Sequence, residues 1–229
     1  NAYTSNDITY YYELLPSNEL ELALYMESER MLHSKVDITG VETQREVVKE
    51  EKRQRIDNQP YGSILTETLA RAYTVHPYRW APIGSLDHLN AATIEEFQQF
   101  YKDFYVPNNA TLTIAGDIDY AKTEDLVRKY FSEIPKGAKE IYRPNVVEPK
   151  KTAEIRDIVY DNIQIPAVIQ AYNVPPRNHP DSYAMSMLST YLTGGNSSLM
   201  TKELVDKQQK ALAVAAIPLE LEDGGLFLM

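Results

Sequence analysis

Glu51 is the residue whose type and setting point most directly to chemistry. It lies within Thr39–Asn58, a stretch whose spacing predicts one long helix. Val47 and Val48 stand four and three residues before it, so helical geometry places the carboxylate on the side of the apolar residues. A carboxylate on an apolar face has to be paired, protonated or bound to a metal, because an isolated buried charge is too costly. Glu51 is therefore a candidate metal ligand.

The same spacing is also satisfied by an ion pair. Arg55 follows Glu51 by four residues, and an arginine from elsewhere in the chain would serve equally well. Structural ion pairs are the commoner reason for a half-buried glutamate. Spacing alone therefore leaves the metal ligand and the ion pair open.

Composition limits the classes of function. The chain has 229 residues, 43% of them hydrophobic, which suits one large or two ordinary globular domains. The net charge of −10 argues against nucleic acid as a partner and against an anionic membrane surface. There is no cysteine, so any metal has to be held by His, Asp or Glu. No apolar run is long enough to insert into a membrane.

The elements that must position Glu51 follow from hydrophobic periodicity. Helices are predicted at residues 19–33, 39–58, 63–73, 93–105, 123–134, 181–192 and 197–207. Strands are predicted at 8–13, 110–118, 154–160, 167–173 and 211–222. Thr39 with Glu42, and Thr93 with Glu96, have the spacing of helix capping boxes. The order of elements predicts an α+β fold with a first domain at 1–140, a connector at 141–152 and a second domain at 153–229.

Four stretches, in this order and spacing, resemble one known family. The chain resembles the pitrilysin/insulinase family of zinc peptidases, which includes the mitochondrial processing peptidases, at Asn1–Glu13, Glu42–Arg55, His76–Asp119 and Asp181–Leu204. The resemblance implies a metallopeptidase domain of the processing-peptidase type, with mixed sheets covered by helices on one face. It also implies two related domains, the second of them incomplete here.

The resemblance gives Glu51 a specific role. Members of the family carry an inverted motif, H-x-x-E-H, whose histidines bind Zn²⁺ and whose glutamate activates a water molecule. A third zinc ligand is a glutamate on a later helix, within a run similar to R-x-V-V-x-x-E. In this chain the run begins at Arg45 and its glutamate is Glu51. The residue singled out by its helical face is thus also the one that the resemblance implies as a metal ligand.

Two departures from the family pattern matter. The chain has no H-x-x-E-H, and its four histidines stand singly at positions 33, 76, 88 and 179. By resemblance the motif would lie before Asn1, so we expect a fragment of a longer protein, with the general base upstream and no catalytic residue in this chain. Zinc should be absent from the isolated chain or bound weakly. The second departure is Gln44, where many catalytic relatives have a glutamate.

Asn1, Ala2 and Tyr3 match the family's edge strand, beside which a substrate peptide adds as an extra strand through backbone hydrogen bonds. An ordinary exposed strand start fits these residues equally well. The family also encloses its substrate between two halves of a clamshell. The resemblance therefore implies a peptide or small protein as substrate, and a second half in the same chain or in a partner subunit.

The sequence thus predicts a fragment of a zinc metalloendopeptidase, inactive in isolation. Two alternatives remain. The first is a non-catalytic scaffold or substrate-binding subunit of the same family, which Gln44 and the missing motif would suit. The second is a peptide-binding scaffold in which Glu51 is merely paired with Arg55.

Overall fold

A computed structural model describes all 229 residues of the chain. The helices are α1 (Leu20–Leu32), α2 (Ile38–Lys52), α3 (Ile64–Ala72), α4 (Leu86–Ala91), α5 (Ile94–Phe104), α6 (Tyr120–Phe131) and α7 (Asp181–Thr193). The strands are β1 (Ala2–Thr4), β2 (Thr9–Tyr11), β3 (Ala171–Val174), β4 (Ile217–Glu220) and β5 (Gly225–Leu228). This combination confirms the α+β class. No helix has the length and apolar character needed to cross a membrane.

The residues group into two compact units. Unit 1 contains Asn1–Tyr3, Tyr10–Glu51 and Gly84–Asn145, and unit 2 contains Thr4–Thr9, Lys52–Ile83 and Val146–Met229. Each unit therefore draws on separated parts of the sequence. The domain boundaries at 1–140, 141–152 and 153–229 stay a prediction.

Unit 1 is built on helices, and α1 packs against α6. The Glu21 carboxylate accepts hydrogen bonds from Lys129 Nζ at 2.7 Å and from the Tyr130 hydroxyl at 2.8 Å. The rings of Tyr25 and Tyr130 meet edge to face, 6.1 Å apart. Apolar and polar contacts thus join two helices that are about a hundred residues apart in the chain.

The start of α2 differs from the sequence prediction. The helix begins at Ile38, and the Asp37 carboxylate accepts a hydrogen bond from the Gly40 amide at 2.8 Å. Hydrogen bonds from Lys35 and then from that amide lower the pKa of Asp37. The capping box predicted at Thr39 is therefore wrong, because Asp37 caps the helix two residues earlier and Asp is at least as good a cap as Thr. The second predicted box, Thr93 with Glu96, is confirmed at the start of α5.

Two predicted strands, 110–118 and 154–160, do not form. Both segments lie outside any sheet, and Leu112 is 45% exposed, although a buried strand was expected there. Alternating apolar residues favour an extended backbone, but a strand also requires a neighbour that receives its hydrogen bonds. Neither segment has such a neighbour in this chain. The strand predicted at 167–173 shrinks to β3, and that at 211–222 to β4.

Unit 2 contains an antiparallel sheet in the order β3-β5-β4. Leu228 of β5 stands opposite Ala171 of β3 and Ile217 of β4. The core of the unit consists of Leu69, Ala72, Tyr73, Tyr78, Leu221 and Leu226. It thus joins α3, the loop after it, and the β4–β5 hairpin.

Tyr78 combines a buried ring with a hydroxyl that is fully used. The hydroxyl donates to Asp7 Oδ1 at 2.5 Å and accepts from the Asp223 amide at 3.1 Å. The other oxygen of Asp7 accepts from the Glu222 amide at 3.0 Å. Burial, followed by the hydrogen bond to Asp7, raises the pKa of Tyr78. The hydroxyl therefore stays protonated and serves as a fixed donor.

Glu148 fixes the loop that follows α3. Its carboxylate accepts hydrogen bonds from the backbone amides of Thr74, Val75 and His76 and from the Thr74 hydroxyl, at 2.6–3.1 Å. Burial alone would raise the pKa of Glu148, but these four donors outweigh it and lower the pKa to about 2. The carboxylate is therefore ionised in the folded protein at neutral pH.

This depressed pKa predicts a pH-dependent contribution to stability. Because the folded-state pKa lies below the ordinary value of 4.5, the stabilisation is present above about pH 4.5 and is lost as the pH falls towards 2. At pH 7 we expect Glu148→Gln to lower the free energy of unfolding by about 1–2 kcal/mol, a figure reduced for the partial exposure of the group.

Urea denaturation at pH 7 and pH 3 measures the effect. The difference between wild type and Glu148→Gln should shrink at pH 3. Glu154→Gln is the matched control, because Glu154 is exposed and pairs only locally with Arg156. A pH-independent cost for Glu148→Gln would contradict the proposed ionic role.

Candidate functional site

Glu51 is the penultimate residue of α2 and is half-buried. Immediately after the helix, residues Arg53–Asp57 continue as a π-helical turn, in which the Asn58 amide donates to the Arg53 carbonyl at 2.8 Å. Lys52 Nζ donates to Asp57 Oδ1 at 2.5 Å, across the five-residue spacing that a π turn aligns. Such turns occur often next to functional sites in α-helices. Glu51 therefore stands at a change of helical geometry.

The face of α2 that carries Glu51 is not the packed face that the sequence predicted. Val47 is 52% exposed and Gln44 is also exposed, whereas the buried residues of the helix are Val41 and Arg45. The two adjacent valines made the prediction ambiguous, since Val48 lies towards the buried side of the helix and Val47 lies on the exposed side. The carboxylate of Glu51 lies on the edge of an open face.

Arg45, the arginine of the R-x-V-V-x-x-E run, holds α2 in place within unit 1. Its side chain is buried, and Nη2 donates to the Ala92 carbonyl at 2.7 Å and pairs with Glu42 at 3.3 Å. The guanidinium carbon lies 5.9 Å from the centre of the Phe97 ring. Nη1 is buried without a hydrogen-bond partner. The arginine thus fixes the buried side of the helix, while Gln44 is exposed and Glu51 is half-buried.

Asn1, Ala2 and Tyr3 lie on the surface in and next to β1, which forms a two-stranded sheet with β2. Since β1 pairs with β2 alone, the backbone groups on its other edge are open to an added strand. Tyr3 is 54% exposed, and its ring lies 5.3 Å from that of Tyr10 on β2. This geometry has the features that strand addition requires. The assignment of these three residues to substrate remains a prediction.

The four histidines lie apart from one another. His33 pairs with Glu29 at 2.9 Å, and His179 lies 3.6 Å from Asp181. His76 is buried, and its Nδ1 accepts a hydrogen bond from the Tyr78 amide at 3.2 Å. This last contact is a helix cap and belongs to the packing of the loop.

The residues of this chain do not by themselves fit a zinc ion. Nowhere do three or more His, Asp or Glu side chains come together in a group that could hold a metal. Glu51 supplies one carboxylate, and zinc sites in proteins use three or four protein ligands. No catalytic step therefore follows from these 229 residues alone.

Sequence reasoning missed a second group of residues, which supports the β1–β2 hairpin. The hydroxyls of Tyr11 and Tyr105 are 2.5 Å apart, and the Arg30 guanidinium lies over the Tyr11 ring at 4.3 Å. These residues come from β2, α1 and the end of α5. Nothing in local spacing connects position 11 with position 105, so no signal in a single sequence could have found the pair.

Comparison with known proteins identifies the class. The description of the family model that matches residues 91–229 is "Peptidase M16 inactive domain". Zinc protease PqqE of Helicobacter pylori is 33% identical over the whole chain, which spans 52% of that protein. The crystal structure of a protease from Helicobacter pylori superposes with a TM-score of 0.91 at 32% identity, covering all of this chain and 56% of that one. A probable mitochondrial-processing peptidase subunit beta of Schizosaccharomyces pombe is 26% identical over 62% of this chain and 31% of its own length.

These similarities place the chain among the metallopeptidases. It belongs to the peptidase M16 family, the pitrilysin/insulinase type, and the resemblance inferred from the sequence is confirmed. The alignments with these relatives include nearly all of this chain, but the chain spans only about half of each relative's length.

The contacts of Arg45 give a prediction for the element that carries Glu51. Arg45→Ala removes the donor to the Ala92 carbonyl and the packing against Phe97, so we expect the free energy of unfolding to fall by roughly 1–3 kcal/mol. Glu42→Ala removes only the exposed partner of the pair and should cost less than about 1 kcal/mol. Chemical denaturation of both variants measures the difference. Equal costs would show that the ion pair, and not the contact with Ala92, holds the helix.

Proposed function

We propose that this chain is part of a zinc-dependent metalloendopeptidase, to which it contributes Glu51 as a metal ligand. The observation that carries the proposal is the R-x-V-V-x-x-E run from Arg45 to Glu51, in a chain 33% identical to a protein named as a zinc protease. Glu51 is half-buried near the C-terminal end of α2, and the proposal assigns it as the ligand because it occupies the glutamate position of that run.

The proposal requires further ligands from outside these 229 residues. One carboxylate cannot hold zinc against water, since metal sites gain their affinity from several preorganised ligands. The two histidines of an H-x-x-E-H motif would complete the ligand set, and the glutamate of that motif would be the general base, in the same polypeptide or in a partner. The isolated chain is accordingly inactive, and Zn²⁺ is absent from it or bound weakly.

We further propose that the substrate is a peptide or small protein, bound as an added strand along β1 at Asn1, Ala2 and Tyr3. The free edge of β1 supports this proposal, because it offers backbone donors and acceptors with little selection among side chains. A second half of the assembly would enclose the peptide. That half lies in the same chain or in a partner subunit.

A non-catalytic role in the same family is the second candidate. Gln44 favours it, because a neutral side chain replaces the glutamate found in many catalytic relatives on the face that carries Glu51. The chain would then be a scaffold or substrate-binding subunit beside an active partner. Glu51 argues against this alternative, since a non-catalytic subunit has no need of a half-buried metal ligand at this position.

Zinc content separates the candidates. The purified 229-residue chain should retain well under one zinc per molecule by elemental analysis after gel filtration. In a polypeptide that also carries an H-x-x-E-H motif at the family's distance, Glu51→Gln should reduce zinc affinity and peptide hydrolysis at least about tenfold. Glu50→Gln, one residue away on another face, is the matched control.

The contradicting results are equally specific. Stoichiometric zinc in the 229-residue chain would refute the need for outside ligands. Unchanged zinc content in Glu51→Gln would remove the ligand assignment and leave the ion pair. A reading frame without the motif would favour the scaffold subunit.

A further inference from the structure

The β1–β2 hairpin needs support from outside itself. Each strand has three residues, and an isolated two-stranded hairpin is marginally stable in water. A strand that moves relative to its surroundings cannot present a fixed row of backbone groups, because ordering it on binding would reduce affinity. Contacts with the helices of unit 1 therefore have to hold the strand that we propose as the peptide-binding edge.

Tyr11 makes the contacts that face inward. Side chains alternate along β2 and the residue that follows it. Tyr10 and Tyr12 are therefore on one side, where both are exposed, and Tyr11 is on the other, where it is half-buried. Its hydroxyl is 2.5 Å from the Tyr105 hydroxyl, and the two rings meet edge to face at 6.2 Å. The Arg30 guanidinium covers the ring of Tyr11 at 4.3 Å, within the range of a cation–π contact.

The partners of Tyr11 are themselves fixed. Arg30 pairs with Glu27 through two hydrogen bonds, at 3.0 and 3.2 Å. The Tyr101 hydroxyl donates to the Arg30 carbonyl at 2.7 Å, and its ring lies 5.1 Å from that of Tyr105. Burial, followed by the hydrogen bond with Tyr11, raises the pKa of Tyr105. Arg30 of α1, with Tyr101 and Tyr105 at the end of α5, therefore forms a preorganised binding site for the Tyr11 side chain, which we call the Tyr11 seat.

Tyr11 also stands directly across the hairpin from Ala2. The Tyr12 amide donates to the Asn1 carbonyl at 2.9 Å. In an antiparallel pair this contact sets Tyr11 opposite Ala2, the middle of the three residues assigned to peptide binding. Contacts that fix Tyr11 therefore fix the part of β2 that lies next to Ala2. Only the width of β1 separates Tyr11 from the free edge.

We infer that Tyr11, Tyr105 and Arg30 are positioning residues, which hold the hairpin so that β1 presents its free edge to a peptide. The inference rests on the proposed function. It assigns the role to side chains that do not touch the peptide and that act through the hairpin backbone. Loss of the Tyr11 seat should weaken peptide binding without unfolding unit 1.

Hydroxyl removal tests the anchor with little change in packing. Tyr11→Phe and Tyr105→Phe each delete one partner of the same hydrogen bond, and Tyr12→Phe, at the exposed residue directly after β2, is the matched control. We expect amide hydrogen exchange in residues 2–4 and 9–12 to rise about fivefold in each single variant, as for one lost neutral hydrogen bond. The double variant should show no further increase, and Tyr12→Phe should match wild type.

Peptide affinity supplies the readout that a purely structural role would not change. The probe is a fluorescein-labelled ten-residue peptide of alternating threonine and valine, titrated into the 229-residue chain by fluorescence anisotropy. The Kd should weaken about fivefold in Tyr11→Phe and Tyr105→Phe, while the thermal midpoint stays within a few degrees of wild type. Arg30→Gln should weaken binding in the same direction, whereas Arg128→Gln, an exposed arginine of α6, should not.

The outcomes separate this inference from the proposed function. Wild-type chain without affinity for the peptide would refute strand addition at β1. Binding by wild type that Tyr11→Phe and Tyr105→Phe leave unchanged would overturn the positioning role and leave strand addition standing. Additive effects in the double variant would overturn the hydroxyl contact as the cause.

Discussion

Satisfaction of the backbone amides in the loop after α3 is the constraint on which unit 2 depends. From Thr74 to His76 the chain has left the helix and joins no sheet, and three successive amides donate to one carboxylate, that of Glu148. Farther along the loop, the Tyr78 amide uses His76, and the Tyr78 hydroxyl engages Asp7 and the backbone at Asp223. Backbone amides outside helices and sheets still need hydrogen-bond partners, and here the carboxylates of Glu148 and Asp7 accept the bonds that regular structure would otherwise accept. The buried side chains of Tyr73 and Tyr78 lie on either side of this loop in the sequence, and the carboxylates that fix the loop come from distant parts of the chain.

That dependence explains what the sequence could and could not predict. The helices were predictable, because periodicity and capping are local, and the box at Thr93 and Glu96 formed as expected. The cap of α2 was misplaced by two residues, since Asp37 and Thr39 are both competent caps and only the folded chain distinguishes them. Residues 110–118 show a second limit of local patterns. Their alternation favours a strand, but a strand forms only when a neighbouring segment receives its hydrogen bonds. The hydrogen bonds of Glu148 with the loop after α3, and of Tyr11 with Tyr105, join residues separated by more than seventy positions, and no single sequence contains that information.

The candidate site divides in the same way. Glu51 was accessible to sequence reasoning, because a helical face and a family pattern pointed to one residue. Which face of α2 packs against the rest of unit 1 could not be predicted, since Val47 and Val48 lie on different faces. The structure shows that the packed face carries Arg45, which donates to the Ala92 carbonyl. The result is a helix whose buried side carries Val41 and Arg45 and whose exposed side carries Gln44 and Val47, with the half-buried Glu51 at the boundary between the two.

The outer strands of the three-stranded sheet differ in their tendency to self-associate. Strand β4 carries Pro218, which has no amide to offer and therefore discourages pairing along its outer edge. Strand β3 has no such residue, and its exposed side chains include Tyr172, at 52%, preceded by Val168, at 81%. An open edge with apolar side chains is a template for aggregation. In concentrated solution, intermolecular β-pairing should therefore begin along β3, and a lysine placed there would act as a gatekeeper.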